Sequence, residues 1–231
     1  MFEQGDITFL HINARSLHQS FNDIVTLVTR EKHNADFIMI SETWLDPSLT
    51  ANYAIVGYEM IHSIPDNCIT GKGSAIYVSK RFFPFCKVIN NICVKQVEFQ
   101  SIFLLISVPF KPSFIVATVY RSPSYPVSLF MEYLQDTLDK INILNKPCFW
   151  GGDWNINLFK YPEQHEPKTF LDCLNSYGFY PTITVPTRIA NTPPFNETLI
   201  DNIFTNALNT ISNSGSICSS IADHQTVFLR L

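Results

Sequence analysis

A layered α/β sandwich built on largely antiparallel sheets is the fold class this sequence predicts, and three observations carry it. Short apolar runs with β character recur along the chain, Pro, Gly and Asn signals separate them at hairpin-like spacing, and only three segments show the apolar periodicity of a helix. The run "ITFLHI" (7–12) reads as a buried strand. Leu17, Phe21, Ile24, Val25 and Val28 then recur at helical spacing and predict a helix ending near Asn34, after which "DFIMIS" (36–41) is a second buried strand. Runs at "YEMIHS", "GSAIYVS", "ICVKQVEF", "SIFLLISV" and "SFIVATVY" follow as hairpin-linked strands. Residues 127–144 predict a second helix, with Phe130, Leu134, Leu138 and Ile141 as its apolar stripe and Ser128 as its cap. "KPCFWGG" returns to strand. Residues 167–177 predict a third helix that turns Phe170, Leu171 and Leu174 inward and stops at Gly178. "TITVPT", "TLIDNIFT" and "QTVFLRL" supply the last strands.

A chain of 231 residues fits one large domain, and at this size roughly 70% of the unfolded surface can be buried on folding. No repeat, low-complexity tract or linker divides it. Hydrophobic residues make up 46% and charged residues 16%, yet the apolar runs fall far short of the ~20 residues that span a bilayer. A soluble protein is expected, without a membrane partner. The start Met1-Phe2-Glu3-Gln4-Gly5-Asp6 has neither the basic nor the apolar region of a secretory signal, so an intracellular protein is expected. The six cysteines, Cys68, Cys86, Cys93, Cys148, Cys173 and Cys218, form no C-x-x-C pair, and buried reduced thiols are expected. The sequon at Asn196 then carries no meaning. A net charge of −4 does not argue for nucleic acid, but a local basic face or a bound divalent cation can invert the field where a phosphate docks.

Polar residues collect where the apolar runs end. Asn13 follows the first strand, Glu42 the second, Tyr120 closes "SFIVATVY", Asp153 and Asn155 follow "PCFWGG", and Asp223-His224 precede "QTVFLRL". Strand ends are where a rigid scaffold presents chemistry. In extended geometry Asp153 and Asn155 point to the same side and face one bound object. Each residue alone is unremarkable, since a Glu or Asn after a strand is usually a turn residue and Asp-His is usually a surface pair. Gathered round one cleft, such hard oxygen ligands suit Mg²⁺ or Mn²⁺ better than Zn²⁺.

The ordered segments "HINARSL", "ISETWL", "VYRSP", "GGDWNINL", "VPTR", "LIDNIF" and "IADH" resemble the motif series of the endonuclease/exonuclease/phosphatase superfamily, from Ile7 to Leu231. Within it, "SETWL", "YRSP" and "PTR…LIDNIFTN" are most similar to the apurinic-type endonuclease domain of LINE-type non-LTR retrotransposons. The resemblance implies a four-layer α/β/β/α sandwich of two packed, mixed and largely antiparallel sheets, with the active site at one edge. It also implies a single domain, 1–231, that forms the N-terminal part of a longer polyprotein with a reverse transcriptase in cis, is monomeric by itself and acts on nuclear double-stranded DNA.

The same resemblance assigns roles. Glu42 ligates Mg²⁺, with Mn²⁺ as a substitute, and Asn13 and Asp223 are nearby or water-mediated partners, Asn13 also standing beside the substrate. Asp153 orients or deprotonates the attacking water, which Asn155 fixes together with the scissile phosphate, while Gly151 and Gly152 let the backbone approach closely. His224 donates to a non-bridging oxygen and Asp201 favours its cation. Tyr120 and Thr187 hydrogen-bond the phosphate, with Arg121 and Arg188 adding charge. One departure stands out: Ala222 occupies a position where related endonucleases commonly carry Ser before Asp-His. The expected activity is nicking of one DNA strand to leave a 3′-hydroxyl that primes reverse transcription. An abasic-site nuclease, a phosphatase of the same superfamily and a non-catalytic nucleic-acid-binding domain are the alternatives. Glu42, Asp153 and His224 all being present argues against the last.

Overall fold

The computed structural model describes residues 7–30, 35–64, 72–189, 196–219 and 221–231. Two sheets face each other across an apolar interior. The first contains β1 (Thr8–Asn13), β2 (Phe37–Ser41), β3 (Tyr58–Ser63) and β4 (Ser74–Ser79), joined late in the chain by β14 (Asn213–Ile217) and β15 (Thr226–Arg230), in the order β14-β15-β1-β2-β4-β3. The second contains β5 (Cys86–Val88), β6 (Val94–Lys95), β7 (Phe99–Ile106), β8 (Phe114–Arg121), β9 (Cys148–Asp153), β10 (Tyr180–Pro181) and β13 (Asp201–Thr205), in the order β10-β13-β9-β8-β7-β5 with β6 beside β7. A separate two-stranded hairpin pairs β11 (Arg188–Ile189) with β12 (Glu197–Thr198). Among the described residues the only parallel pairs are β1 with β2 and β8 with β9.

Strand periodicity explains the layers. Phe9, Phe37, Met39, Ile76 and Val78 of the first sheet meet Ile102, Leu104, Val116, Phe149 and Ile203 of the second. Their neighbours Leu10, Ile12, Ile38 and Ile40 point outward, under α1 (Leu17–Arg30) through Leu17, Ile24, Leu27 and Val28. On the far side Phe103, Ala117, Val119 and Trp150 lie under α2 (Val127–Leu144) and α3 (His165–Ser176) through Phe130, Leu134, Leu138, Phe170 and Leu174. Strands covered on both faces read as continuous apolar runs, which is why they are visible in the sequence. The four-layer α/β/β/α sandwich follows, and among the described residues no helix is long and apolar enough to cross a membrane.

Local expectations fare unevenly. Gly178 does end α3, at φ +75°, just beyond the Tyr177 cap. Ser128 is not the cap of α2, because Pro126 occupies that position and no side chain caps the helix. "TITVPT" is not a strand: the N–H groups of Thr182 and Ile183 go to the Asn202 side chain at 3.0 and 3.1 Å, and Asn202 donates back to the Ile183 carbonyl. "ICVKQVEF" keeps only Val94–Lys95 as strand before turning into β7. Of the cysteines, Cys148 is buried and Cys218 is exposed, with Cys86, Cys93 and Cys173 between, all free thiols; Cys68 and the end of the first helix near Asn34 lie outside the described residues.

Candidate active site

The two parallel strand pairs end at the same edge of the sandwich. Asn13 and Ser41 are register partners at the ends of β1 and β2, Tyr120 and Asp153 at the ends of β8 and β9, and Asp201 at the start of β13 faces Asp153. The turn into β15 brings His224 to this edge, bridged to Arg188 of the hairpin. Topology alone therefore gathers residues 13, 42, 120, 153, 155, 201 and 224.

The Asn13 side chain links the two sheets. Its amide nitrogen donates to Glu42 Oε1 at 2.9 Å and to Asp153 Oδ2 at 2.8 Å, while its oxygen accepts from the Arg15 N–H at 3.0 Å. Glu42 sits at φ +53° after β2, and its other oxygen accepts from the Trp44 indole at 3.3 Å. This segment is pinned, since the Thr43 and Trp44 N–H groups bond the carbonyls of Gly73 and Lys72 at 3.1 and 2.9 Å. Of seven non-glycine residues with positive φ among those described, Arg15, Ser16, Glu42, Trp44 and Asn155 lie at this edge. Such geometry costs energy and persists where surroundings enforce it.

Asp153 and Asn155 come together by a turn instead of an extended strand. The strand ends at Asp153, Asn155 adopts φ +51°, and its backbone N–H closes back on Asp153 Oδ1 at 3.0 Å. The Asn155 side-chain amide donates to the Arg121 carbonyl at 2.7 Å. The two glycines before them admit close neighbours within the sandwich: a Cβ on Gly152 would stand 2.2 Å from the Val119 carbonyl oxygen, and one on Gly151 would meet Met39 at 2.6 Å.

Charge at the edge is unevenly balanced. Burial, then Asp201 and Glu42, push the Asp153 carboxyl up to about 8, against the pull of His224 and the Asn155 N–H. His224 Nδ1 lies 2.8 Å from Asp201 Oδ2, and although burial opposes its charge, Asp201 and then Asp153 and Asp223 raise it to about 9. His224 is therefore a cation at neutral pH. Burial, then Glu42 and Asp153, raise the Tyr120 phenol, which keeps its proton.

Three expected residues are placed otherwise than anticipated. Arg121 is 2% exposed and spends its guanidinium on the carbonyls of Trp154, Ser122, Tyr125 and Asn155, so it holds the loop beneath the site and does not reach a substrate. Thr187 is fully buried, its hydroxyl accepting from the N–H groups of Ile200 and Asp201 at 3.2 and 3.1 Å, and it fixes the entry to β13. Asp223 gives both oxygens to arginines, Arg15 Nη1 at 2.8 Å and Arg188 Nε at 2.9 Å, which leaves a poor metal ligand. Burial works against its charge, but the Arg188 and Arg15 hydrogen bonds and His224 hold its carboxyl below the usual range.

Glu42 and Asn13, by contrast, fit a divalent cation. Glu42 bonds only neutral donors in Asn13 and Trp44, and no Lys or Arg pairs with it among the described residues. Asp201 Oδ1 is buried without a partner, and the three carboxylates crowd hard enough to hold a proton on Asp153. One ligand atom each from Asp153, Asp201 and His224 also lie within 4.8 Å of one another. There the His224 cation repels a metal, so the Glu42 side is the better seat.

Sequence reasoning missed His11, Arg15 and Trp44. His11 lies two residues before Asn13 on the same face of β1, its Nε2 3.1 Å from Ser41 Oγ and its Nδ1 3.8 Å from Asp201 Oδ1. Burial drives it down to about 4 despite Asp201, so it is neutral. Its position inside an otherwise apolar strand was the available signal.

The model of the Endonuclease/Exonuclease/phosphatase family matches residues 10–224. The chain belongs to the endonuclease/exonuclease/phosphatase family. Members of this family are metal-dependent phosphodiesterases and phosphatases, and this family enzyme is a hydrolase of that kind. No match is found among curated proteins. Among solved structures the family enzyme is similar to the endonuclease domain of TRAS1, a telomere-specific non-LTR retrotransposon, at 15% identity and TM-score 0.74, with 97% of this chain and 98% of that chain covered. It is similar to the AP endonuclease LMAP from Leishmania major at 12% identity and TM-score 0.76, covering 97% and 87%. The mannosyl-6-phosphatase Bt3783 of Bacteroides thetaiotaomicron follows at 15% identity and TM-score 0.68, covering 97% and 98%. At these identities the likenesses speak to fold alone.

Proposed function

We propose that this chain is the endonuclease domain of a LINE-type non-LTR retrotransposon. It nicks one strand of duplex DNA with Mg²⁺, Mn²⁺ being a substitute, and leaves a 3′-hydroxyl from which a reverse transcriptase in cis primes synthesis on nuclear DNA. The observation that carries the phosphodiesterase chemistry is the Asn13 amide bridging Glu42 and Asp153 beside the Asp201–His224 pair. The motif series "SETWL", "YRSP" and "LIDNIFTN" supports the retrotransposon assignment.

Glu42 and Asn13 would hold the Mg²⁺, which when bound neutralises charge on the phosphoryl oxygens and supports the leaving 3′-oxygen. Asp153, as the carboxylate that a cation seated at Glu42 and Asn13 would favour over the proton it otherwise holds, accepts the proton of the attacking water. The Asn155 N–H and the Asn13 amide hold that carboxylate in a fixed orientation. His224 donates to a non-bridging oxygen as a cation, with Asp201 fixing its ring and charge from behind. Tyr120 offers a phenolic proton at the same edge. Arg188, 45% exposed, brings positive charge from the hairpin to the mouth of the site. The test is the chemistry of the nick: supercoiled plasmid is cut with Mg²⁺ and the product offered to a DNA polymerase. Direct extension supports this reading, whereas ends that need a phosphatase before extension, or cleavage confined to an abasic-site oligonucleotide, overturn it.

A further inference from the structure

Trp44, whose indole bonds Glu42, lines an open cleft of about 450 Å³. Its walls include Trp44, Arg15, Gln19, Ile221 and Ala222, and Asp223 stands at its rim. Trp44 is 41% exposed, held at φ +50° by its N–H to the Lys72 carbonyl, with its indole nitrogen on Glu42 Oε2 at 3.3 Å. The indole thus joins the cleft directly to the carboxylate that would seat the metal. The Arg15 side chain is 51% exposed and anchored at one nitrogen by Asp223 at 2.8 Å. A flat aromatic wall, a half-exposed arginine tied to Asp223 by one nitrogen only and a small residue at position 222 make a space suited to a nucleobase with its adjoining phosphate, since every base offers a π-face and arginine matches a phosphate.

We propose that this cleft is a nucleotide subsite: the base on the leaving-oxygen side of the scissile phosphate stacks on Trp44, and Arg15 faces the next phosphate of that strand. The proposal rests on the phosphodiesterase reading above and adds to it the residue that grips the nucleotide released with the 3′-hydroxyl. Continuity with Glu42 sets the side, because the carboxylate that supports the leaving oxygen is the one the indole touches. Ala222 contributes by being small, as a much larger side chain there would narrow the cleft.

Tryptophan emission reads this subsite selectively. The chain has three tryptophans; Trp150 and Trp154 are 0% and 1% exposed, so a change in emission on adding DNA reports on Trp44. A short duplex and a single-stranded oligonucleotide are titrated into the intact protein in the presence of chelator, with binding followed in parallel by fluorescence anisotropy of labelled DNA. Quenching of the wild type, its loss in Trp44→Phe with affinity kept within about threefold, and roughly 5- to 100-fold weaker binding in Trp44→Ala are expected, the scale of one lost base–aromatic stack. Trp44→Phe lacks the indole N–H as well, so its retained affinity in chelator separates stacking from support of Glu42. Equal loss in both variants would show that Trp44 acts only through Glu42 and would overturn the subsite. Unquenched emission with wild-type affinity in Trp44→Ala would overturn it too. If the wild type nicked no DNA, the reading of the reaction would fall, and the quenching titration would still decide the subsite by the same criteria.

Discussion

Replacing Asp201 by Asn removes the charge that holds the His224 proton and leaves the fold of β13 nearly isosteric. Against burial, which lowers it, Asp201 contributes the largest upward pull on His224 through its charge and a 2.8 Å hydrogen bond, and with Asp153 and Asp223 carries it from 6.5 to about 9. At pH 7.5 a group at about 9 is ~97% protonated, and one returned to 6.5 is ~9% protonated. The protonation deficit of Asp201→Asn is then about 1.3-fold at pH 6, about 10-fold at pH 7.5 and about 75-fold at pH 8.5, on top of any loss that does not vary with pH. Relief of Asp153, which Asp201 also pushes upward, favours the variant further at the acid end. Stability runs the other way. A histidine raised in the folded state contributes stability that is complete below 6.5 and lost as pH rises through about 9, so the folding deficit of the variant is largest in acid. The assay is the initial rate of plasmid nicking from pH 6 to 8.5 at saturating Mg²⁺, with urea unfolding at the same pH values. A wild-type to variant rate ratio that stays flat with pH, or falls as pH rises, would refute the cationic role of His224.

Three further outcomes follow from particular contacts. Gly152→Ala puts a Cβ 2.2 Å from the Val119 carbonyl oxygen inside a central strand pair, which should cost about 3 kcal/mol or more and lower Tm by roughly 6–12 °C in scanning calorimetry. Ala222→Ser adds one hydroxyl beside Asp223 in the cleft wall and should leave the kcat of nicking within about threefold of wild type or above it, because a single oxygen takes up little of the roughly 450 Å³ space. Shortening the hairpin between Arg188 and Thr198 to a two-residue turn should keep nicking while flattening the cleavage map on mixed DNA, because β11 and β12 form a two-stranded sheet of their own that is bridged to the catalytic edge at His224.

Much of the fold is legible because its strands are buried on both faces. β1, β2, β8 and β9 read as apolar runs, and polar residues at their ends mark the functional edge without any knowledge of topology. What stayed hidden is held by backbone or by single side chains. β14 is "NSGSI", a half-exposed edge strand whose pairing with β15 needs no apolar signal. "TITVPT" has β composition, yet after Thr182, whose N–H still reaches the Ile203 carbonyl of β13, the backbone of Ile183 bonds the Asn202 side chain instead of a strand. Arg121, Thr187 and Asp223 share their chemistry with substrate-binding residues, and only three-dimensional structure shows their polar atoms already engaged by Trp154, Ile200, Arg15 and Arg188. Asn13 and Glu42 were legible as polar residues after strands. The Asn13 amide donating to both Glu42 and Asp153 across the two sheets was not.

The claim on which the account turns is that Glu42 and Asn13 seat a divalent cation that the crowded carboxylates require. The direct measurement is the initial rate of plasmid nicking as a function of Mg²⁺ concentration, for the wild type and for Glu42→Gln, with an excess-chelator control. The wild type should be inactive in chelator and saturate with Mg²⁺, and Glu42→Gln should need at least about tenfold more Mg²⁺ to reach half its maximal rate. Undiminished nicking in chelator, or an unchanged Mg²⁺ requirement in Glu42→Gln, would contradict it.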